Sequence, residues 1–254
     1  MTNMKFLIIL IAPLHLFSRT CFAQESAIIT DRPDFTESAA TVPASRVQLE
    51  GGYTFSRAGE VREHALGEIL VRVGVAEDLE FRLGLNSYVW NLSPSADVSG
   101  FKDATIGAKW SVYNDREDRI SFSVLAATTL PTGGKEFRED ALQPEAKFIV
   151  AWGMTDRQTI SANLNTTAAS IGGKRFALIS GSLSLGQLIT DVLGAYAEVF
   201  GFLPQQEGAP DAYYLNGGMT WLISADVQLD ARVGGRLNGS QPDFFAGVGA
   251  GWRW

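Results

Sequence analysis

The sequence predicts an all-β fold: a transmembrane antiparallel β-barrel of the bacterial outer-membrane kind, with about twelve strands. Three observations predict it. The chain ends on FFAGVGAGWRW, in which Phe244, Ala246, Val248, Ala250, Trp252 and Trp254 make one unbroken apolar face. The other face carries Phe245, Gly247, Gly249, Gly251 and Arg253. Period-two alternation of this kind marks a strand with a different solvent on each side, and a terminal aromatic suits the closing strand of such a barrel. The second observation is that alternating stretches of roughly ten residues recur along the chain, the length a tilted strand needs to cross the hydrocarbon. The third is the placing of the tryptophans, which falls at strand ends rather than at random.

The N-terminus comes first in order. Lys5, an apolar run from Phe6 to Phe17 and the polar stretch ending at Ala23 read as a secretory signal peptide over residues 1–23. The apolar run is too short to span a bilayer. A lipoprotein signal built on Cys21 is a weaker rival, because Arg19 and Thr20 precede it. Cys21 is the sole cysteine, so the exported chain has no disulfide to hold it. Residues 24–45 form a polar leader in which Pro33 and Pro43 disfavour regular structure. It reads either as a mobile periplasmic tail or as a plug folded back into the barrel, with Asp31 and Arg32 meeting lumen charges.

The barrel itself is expected over residues 46–254. The first strand sets Val47, Leu49, Tyr53 and Phe55 against Gln48, Glu50 and Thr54. In the second, Ala65, Ile69, Val71, Val73 and Val75 oppose Leu66, Glu68, Leu70 and Arg72. The third runs from Leu79 to Val89 with Glu80 and Arg82 inward, and the fourth has Ile106 and Trp110 outside, Asp103 and Lys109 inside. Strands five to seven follow, carrying Phe122 and Val124; Phe148 and Trp152 against Glu145 and Lys147; and Leu164 against Asn163 and Asn165. The eighth holds Leu183 and Leu185. The ninth sets Val199 against Tyr196, Glu198 and Phe200, and the tenth sets Leu215 and Trp221 against Tyr214. The eleventh has Leu229 and Val233 opposite Asp230 and Arg232, with Arg236 continuing that face.

Connections are expected to alternate longer and shorter throughout, as external loops and periplasmic turns do. On that reading Trp110, Trp152, Trp221, Trp252 and Trp254 end even-numbered strands and form one belt at the periplasmic interface, where indoles are favoured. Trp90 would lie at the opposite rim, with a parity that points it inward.

The segments TDRPDFTESAATVPASRVQLEGGYTFSR, LGEILVRVGVAEDLEFRLG, FKDATIGAKW and LPTG, with the final run from Tyr213 to Trp254, resemble the family of transporters named for the meta-pathway of phenol degradation. The resemblance covers essentially the whole exported chain. It implies an outer-membrane barrel that passes small molecules, with aromatic compounds suggested by the family's name. No catalytic residue carries over from it.

By parity the lumen holds Glu50, Glu68, Arg72, Glu80, Arg82, Asp103, Lys109, Glu145, Lys147, Tyr196, Glu198, Tyr214, Asp230, Arg232 and Arg236. Charges of both signs across a narrow bore either brace the wall or select solutes by charge and size. The net charge of −7 and sequence pI near 4.9 exclude nucleic acid held by charge alone. The expected partners are outer-membrane lipid, a small solute and the barrel-assembly machinery, engaged through the C-terminal strand. No cofactor or metal motif is present. The expected function is passive or facilitated passage of small solutes. The alternatives are a plugged or structural barrel and an outer-membrane hydrolase. A hydrolase needs a histidine beside a serine or an acid, and His64 is the only histidine beyond the signal peptide.

Overall fold

The computed structural model describes residues 26–115, 117–204, 206, 210–239 and 242–254. The expected signal peptide lies outside the described residues. The strands are β1 (Val47–Ala58), β2 (Val61–Ala76), β3 (Leu79–Gly84), β4 (Tyr88–Leu92), β5 (Val98–Phe101), β6 (Ala104–Asp115) and β7 (Ile120–Leu130). They continue as β8 (Gln143–Gly153), β9 (Gln158–Ile171), β10 (Lys174–Leu188), β11 (Leu193–Pro204), β12 (Ala212–Ser224), β13 (Val227–Asn238) and β14 (Phe244–Arg253). Every pairing is antiparallel. β1 meets β14 from Gln48 opposite Arg253 to Arg57 opposite Phe244, which closes the sheet into a barrel. β3 and β4 both pair with β2, one beyond the other, and so form a single interrupted stave. β5 and β6 form the next in the same way, leaving twelve staves.

Burial is inverted relative to a water-soluble protein. Leu66, Phe81, Leu164, Leu183 and Val248 are each more than half exposed, whereas Glu50, Arg72, Glu80 and Lys109 are 0% exposed. Only a wall with hydrocarbon outside and ionised groups inside keeps both sets in favourable surroundings. Both faces follow from the alternation in the sequence.

Three expectations are corrected. β2 contains a bulge, with Gly67 (φ 112°) and Glu68 (φ 46°) in left-handed conformations. The extra residue flips the alternation, so Ala65 is buried inside while Leu66 faces out. Residues 85–87 and 102–103 make the same one-residue shift in the two neighbouring staves, which carry the bulge across the wall. The third strand is therefore not continuous to Val89. Val89 points inward at 0% exposure, and Trp90 points outward, against its expected parity. Lastly, the connections do not alternate uniformly in length. β1–β2 turns at Gly59 and Glu60, and β9–β10 turns at Gly172 and Gly173. These glycines have φ of 61°, 58° and 76°, the geometry a two-residue hairpin requires. The longest connection among the described residues is 131–142, between β7 and β8.

Candidate functional site: a charged lumen threaded by the N-terminal leader

Residues 26–45 contain no strand and lie inside the barrel. The segment enters at the end of the barrel that carries the β2–β3 and β12–β13 turns, the short-turn end, where Arg253 donates to Ser26 O (2.7 Å) and Ile28 N donates to Ala225 O (2.7 Å). It crosses the bore, turns at Pro33–Thr36, and returns to the same end, where Ser45 N donates to Gly74 O (2.8 Å). Glycines on the inner wall give it room. A Cβ at Gly52 or Gly249 would collide with the Arg32 guanidinium, and one at Gly74 with the Pro43 and Val42 carbonyls.

The outgoing arm is held by ions. Asp31 faces Arg72 (3.4 Å), Lys109 (3.0 Å) and Arg82 (2.5 Å). Arg72 also contacts Glu50 (3.0 Å) and Glu80 (2.9 Å), and it donates to the carbonyls of Ile29 and Ala40. Arg32 bridges to the other side, pairing with Glu68 and with Asp230 (3.3 Å). On the returning arm, Glu37 pairs with Lys147 (2.6 Å) and Arg82 (3.1 Å), Ser123 donates to Ala39 O (2.5 Å), and Val42 N donates to Glu80 (2.7 Å). A buried carboxylate without partners would be protonated rather than charged. Burial does push Asp31 and Glu37 upward, but the cations outweigh it. Asp31 is held well below the usual carboxylate range and Glu37 at about 2.

One wall residue makes most of the tip's hydrogen bonds. Glu198 accepts from Phe35 N (2.9 Å), Thr36 N (2.6 Å) and Thr36 Oγ1 (2.6 Å), and Asn216 donates to it (2.9 Å). Beside it, Asp34 has Ser184 Oγ at 3.4 Å and no ion pair among the described residues. Burial first, then the Glu198 charge, raises its carboxyl well above the ordinary value. The Phe35 ring stacks on Phe200 (centroids 4.6 Å, 9°) and meets Phe202 edge-on (5.4 Å, 80°). Tyr214 stacks on the other face of Phe200 (5.0 Å, 16°), and Phe245 closes the cluster with Arg232 over its ring (5.7 Å).

Two open spaces flank the tip. On the short-turn side a chamber of about 290 Å³ is lined by the leader, Ser161, Ser184, Tyr196 and Gln228. On the loop side a vestibule of about 650 Å³ is lined by Phe200, Phe202, Tyr214, Phe245, Arg232 and the Lys102–Glu63 pair, among others.

The lumen set deduced from parity is thus distributed as follows. Glu50, Glu68, Arg72, Glu80, Arg82, Lys109, Lys147, Glu198, Asp230 and Arg232 all contact the leader. Glu145 lies 3.6 Å from Lys147. Tyr196 lines the chamber and Tyr214 the vestibule. Asp103 is buried, but its carboxylate accepts from Gly133 N and Glu139 N and so fixes the 131–142 loop. Arg236 is not in the bore. It sits exposed at the loop rim, paired with Asp243 (2.6 Å), because β13 has left the barrel interior there. Trp110, Trp152, Trp221, Trp252 and Trp254 point outward at the short-turn rim.

Phe202 was not singled out in the sequence, and Phe245 was placed on the inner face of the last strand without a role. Continuing the inward parity of β11 through Phe202 would have found the first. His64 faces outward, its Nδ1 2.7 Å from the Tyr53 hydroxyl and its ring against Phe55. Among the described residues no group of three His, Cys, Asp or Glu side chains is placed to hold a metal ion.

Comparison with known proteins adds two findings. A family model described as "Putative MetA-pathway of phenol degradation" matches residues 30–254. Among solved structures, an outer membrane channel from Pseudomonas putida F1 superposes with a TM-score of 0.68 at 12% identity, over 85% of this chain and 98% of that one. The NanC porin gives 0.57 at 9% identity, over 81% and 98%. The KdgM porin in complex with disordered oligogalacturonate gives 0.55 at 7%, over 82% and 98%. At such identities the likeness is one of fold. The comparison with curated proteins gave no match.

Proposed function

This chain belongs to the family described by the MetA pathway of phenol degradation, and on that premise we propose that it is an outer-membrane channel for small aromatic solutes, closed at rest by its own leader. One observation carries the reading: a polar bore inside an apolar wall, with a vestibule walled by four aromatic rings on one side of the tip and a second chamber on the other. The aromatic walls suit a flat ring, and Arg232 and the Lys102–Glu63 pair on the same walls suit its polar substituent. Ions of both signs, largely paired with each other, give the bore no strong preference for one charge. Residues 26–45 act as the plug and 46–254 as the barrel. The Trp belt and Trp254 engage lipid and the assembly machinery.

The test is swelling of liposomes holding the refolded protein, with and without residues 26–45, in phenol, benzoate, amino acids and sugars. Permeation that increases on removing the leader and favours the aromatics supports the reading. No permeation by either form, from barrels that still shift on gels when heated, overturns it and leaves a structural barrel. That second reading draws on the density of leader contacts. Hydrolysis draws nothing from the site, since His64 faces lipid beside a tyrosine rather than an acid.

A further inference from the structure

The geometry points to the Phe35 slot as the solute-binding site, with Phe35 standing in for an aromatic solute that displaces it to open the channel. The inference rests on the channel reading above. Its basis is the two faces of the Phe200 ring. Tyr214 covers one and belongs to the wall; Phe35 covers the other and belongs to the leader. A flat ring entering the vestibule meets Phe200 and Phe202, which line it. It can stack on a face of Phe200 only by replacing Phe35. Phe35 itself has the arrangement a bound solute would have, stacked on one ring and edge-on to a second, the two favoured aromatic geometries. Exchanging ring for ring keeps those contacts, so solute concentration sets the balance.

The tip can move without the rest of the leader. Its polar ties are to Glu198, Ser182, through Asp34 to Ser184 (3.4 Å) and, through Pro33 O, to Arg232 (2.9 Å). The arms are anchored separately by the Asp31 and Glu37 ion pairs. Displacing Phe35 therefore opens the level between vestibule and chamber while the arms stay docked.

Planar-bilayer conductance of the full barrel tests this, with phenol as the aromatic probe and cyclohexanol as its non-aromatic counterpart. Phenol should raise the open probability of the wild type saturably, and cyclohexanol should do so at least tenfold less effectively. Phe35→Ala should be open without phenol and insensitive to it. Phe35→Leu, which keeps bulk but not the stacking face, should open at lower phenol than the wild type. Heat-shifted migration on gels checks that each variant is folded. If the barrel lacking 26–45 conducts but phenol leaves the wild type unchanged, or Phe35→Ala stays closed, the slot is not the gate and the channel reading survives. If the barrel lacking 26–45 neither conducts nor passes solute, both fall.

Discussion

Asp31→Asn tests whether ion pairing holds the leader in the bore. The amide keeps the side chain's shape, and its oxygen can still accept from Ser38 N, which now donates to Asp31 (2.9 Å). What goes is a buried negative charge facing Arg72, Lys109 and Arg82. Removing one partner of a buried ion pair costs about 3–5 kcal/mol. The lower end applies, because Glu50 and Glu80 still face Arg72, and Glu37 still faces Arg82 and Lys109. A loss of about 3 kcal/mol lowers the docked-to-undocked ratio about 100-fold. The assay is maleimide labelling of a cysteine placed at Ala39, which is buried against Leu125 and Ile149 on the returning arm. When opening is fast relative to labelling, the rate follows the undocked population. Labelling should accelerate about 100-fold in Asp31→Asn. Equal rates in the two backgrounds would refute the claim that these charges, rather than chain packing, hold the leader.

The other expected outcomes use the same tools. Gly249→Leu fills the space occupied by Arg32, so it should give rapid Ala39→Cys labelling and an open channel from a barrel that still shifts with heat; slow labelling would mean the wall can yield. Above the ordinary Glu37 value of 4.5, where the Asp31 and Glu37 pairs contribute in full, docking should weaken as pH rises. The raised Asp34 carboxyl favours its neutral form in the docked state, so its contribution is complete below the ordinary value of 3.8 and is lost as pH climbs through the raised one. The groups facing it are Glu198, Tyr196, Ser184 and Asp31, and Asp34→Asn should flatten the pH dependence of labelling. Trp254→Glu puts a charge in the interfacial belt and should lower the outer-membrane yield several-fold, whereas an unchanged yield would deny the C-terminal residue its role. His64→Ala should leave solute flux within twofold of the wild type, and lost hydrolysis of lipid or peptide would reveal an enzyme.

Much of the wall was legible because each strand separates two solvents. Arg72, Lys109 and Glu198 could not face lipid, and their parity put them inside. The rule failed at Ala65, Val89 and Trp90, where one added residue per stave reverses the alternation while leaving composition unchanged. Polarity also misleads at the first hairpin. Arg57, Arg62 and Glu63 have the composition of a connection, yet they sit in strands β1 and β2, whose tight hairpin extends to the rim. The irregularity of the leader was written in its prolines, but its docking was not, because that depends on contacts between residues such as Asp31 and Lys109 that are distant in sequence. The aromatic vestibule was half visible. Tyr214 and Phe200 were inward by parity, but their joining to Phe245 is a matter of register between three strands.

The inner-face glycines explain how a firmly held leader and a conducting pore can share one bore. They lie where the arms pass, at Gly52 on β1, Gly74 on β2 and Gly249 and Gly251 on β14, so the arms press against that side of the wall. Across the lumen β9 to β12 carry Ser161, Ser184 and Tyr196 instead, and there the chamber remains open. The vestibule reaches the same sector through Phe200, Phe202 and Tyr214. Chamber and vestibule are thus aligned along β10 to β12 and separated at the level of Phe35 and Glu198, which is the part of the leader with the fewest ionic ties. The costly charges, whose release would strand Arg72 and Lys109 in a low-dielectric interior, stand beside the route rather than across it. A solute that moves the tip alone has a path, and the ion pairs that fix the arms keep the tip close enough to return.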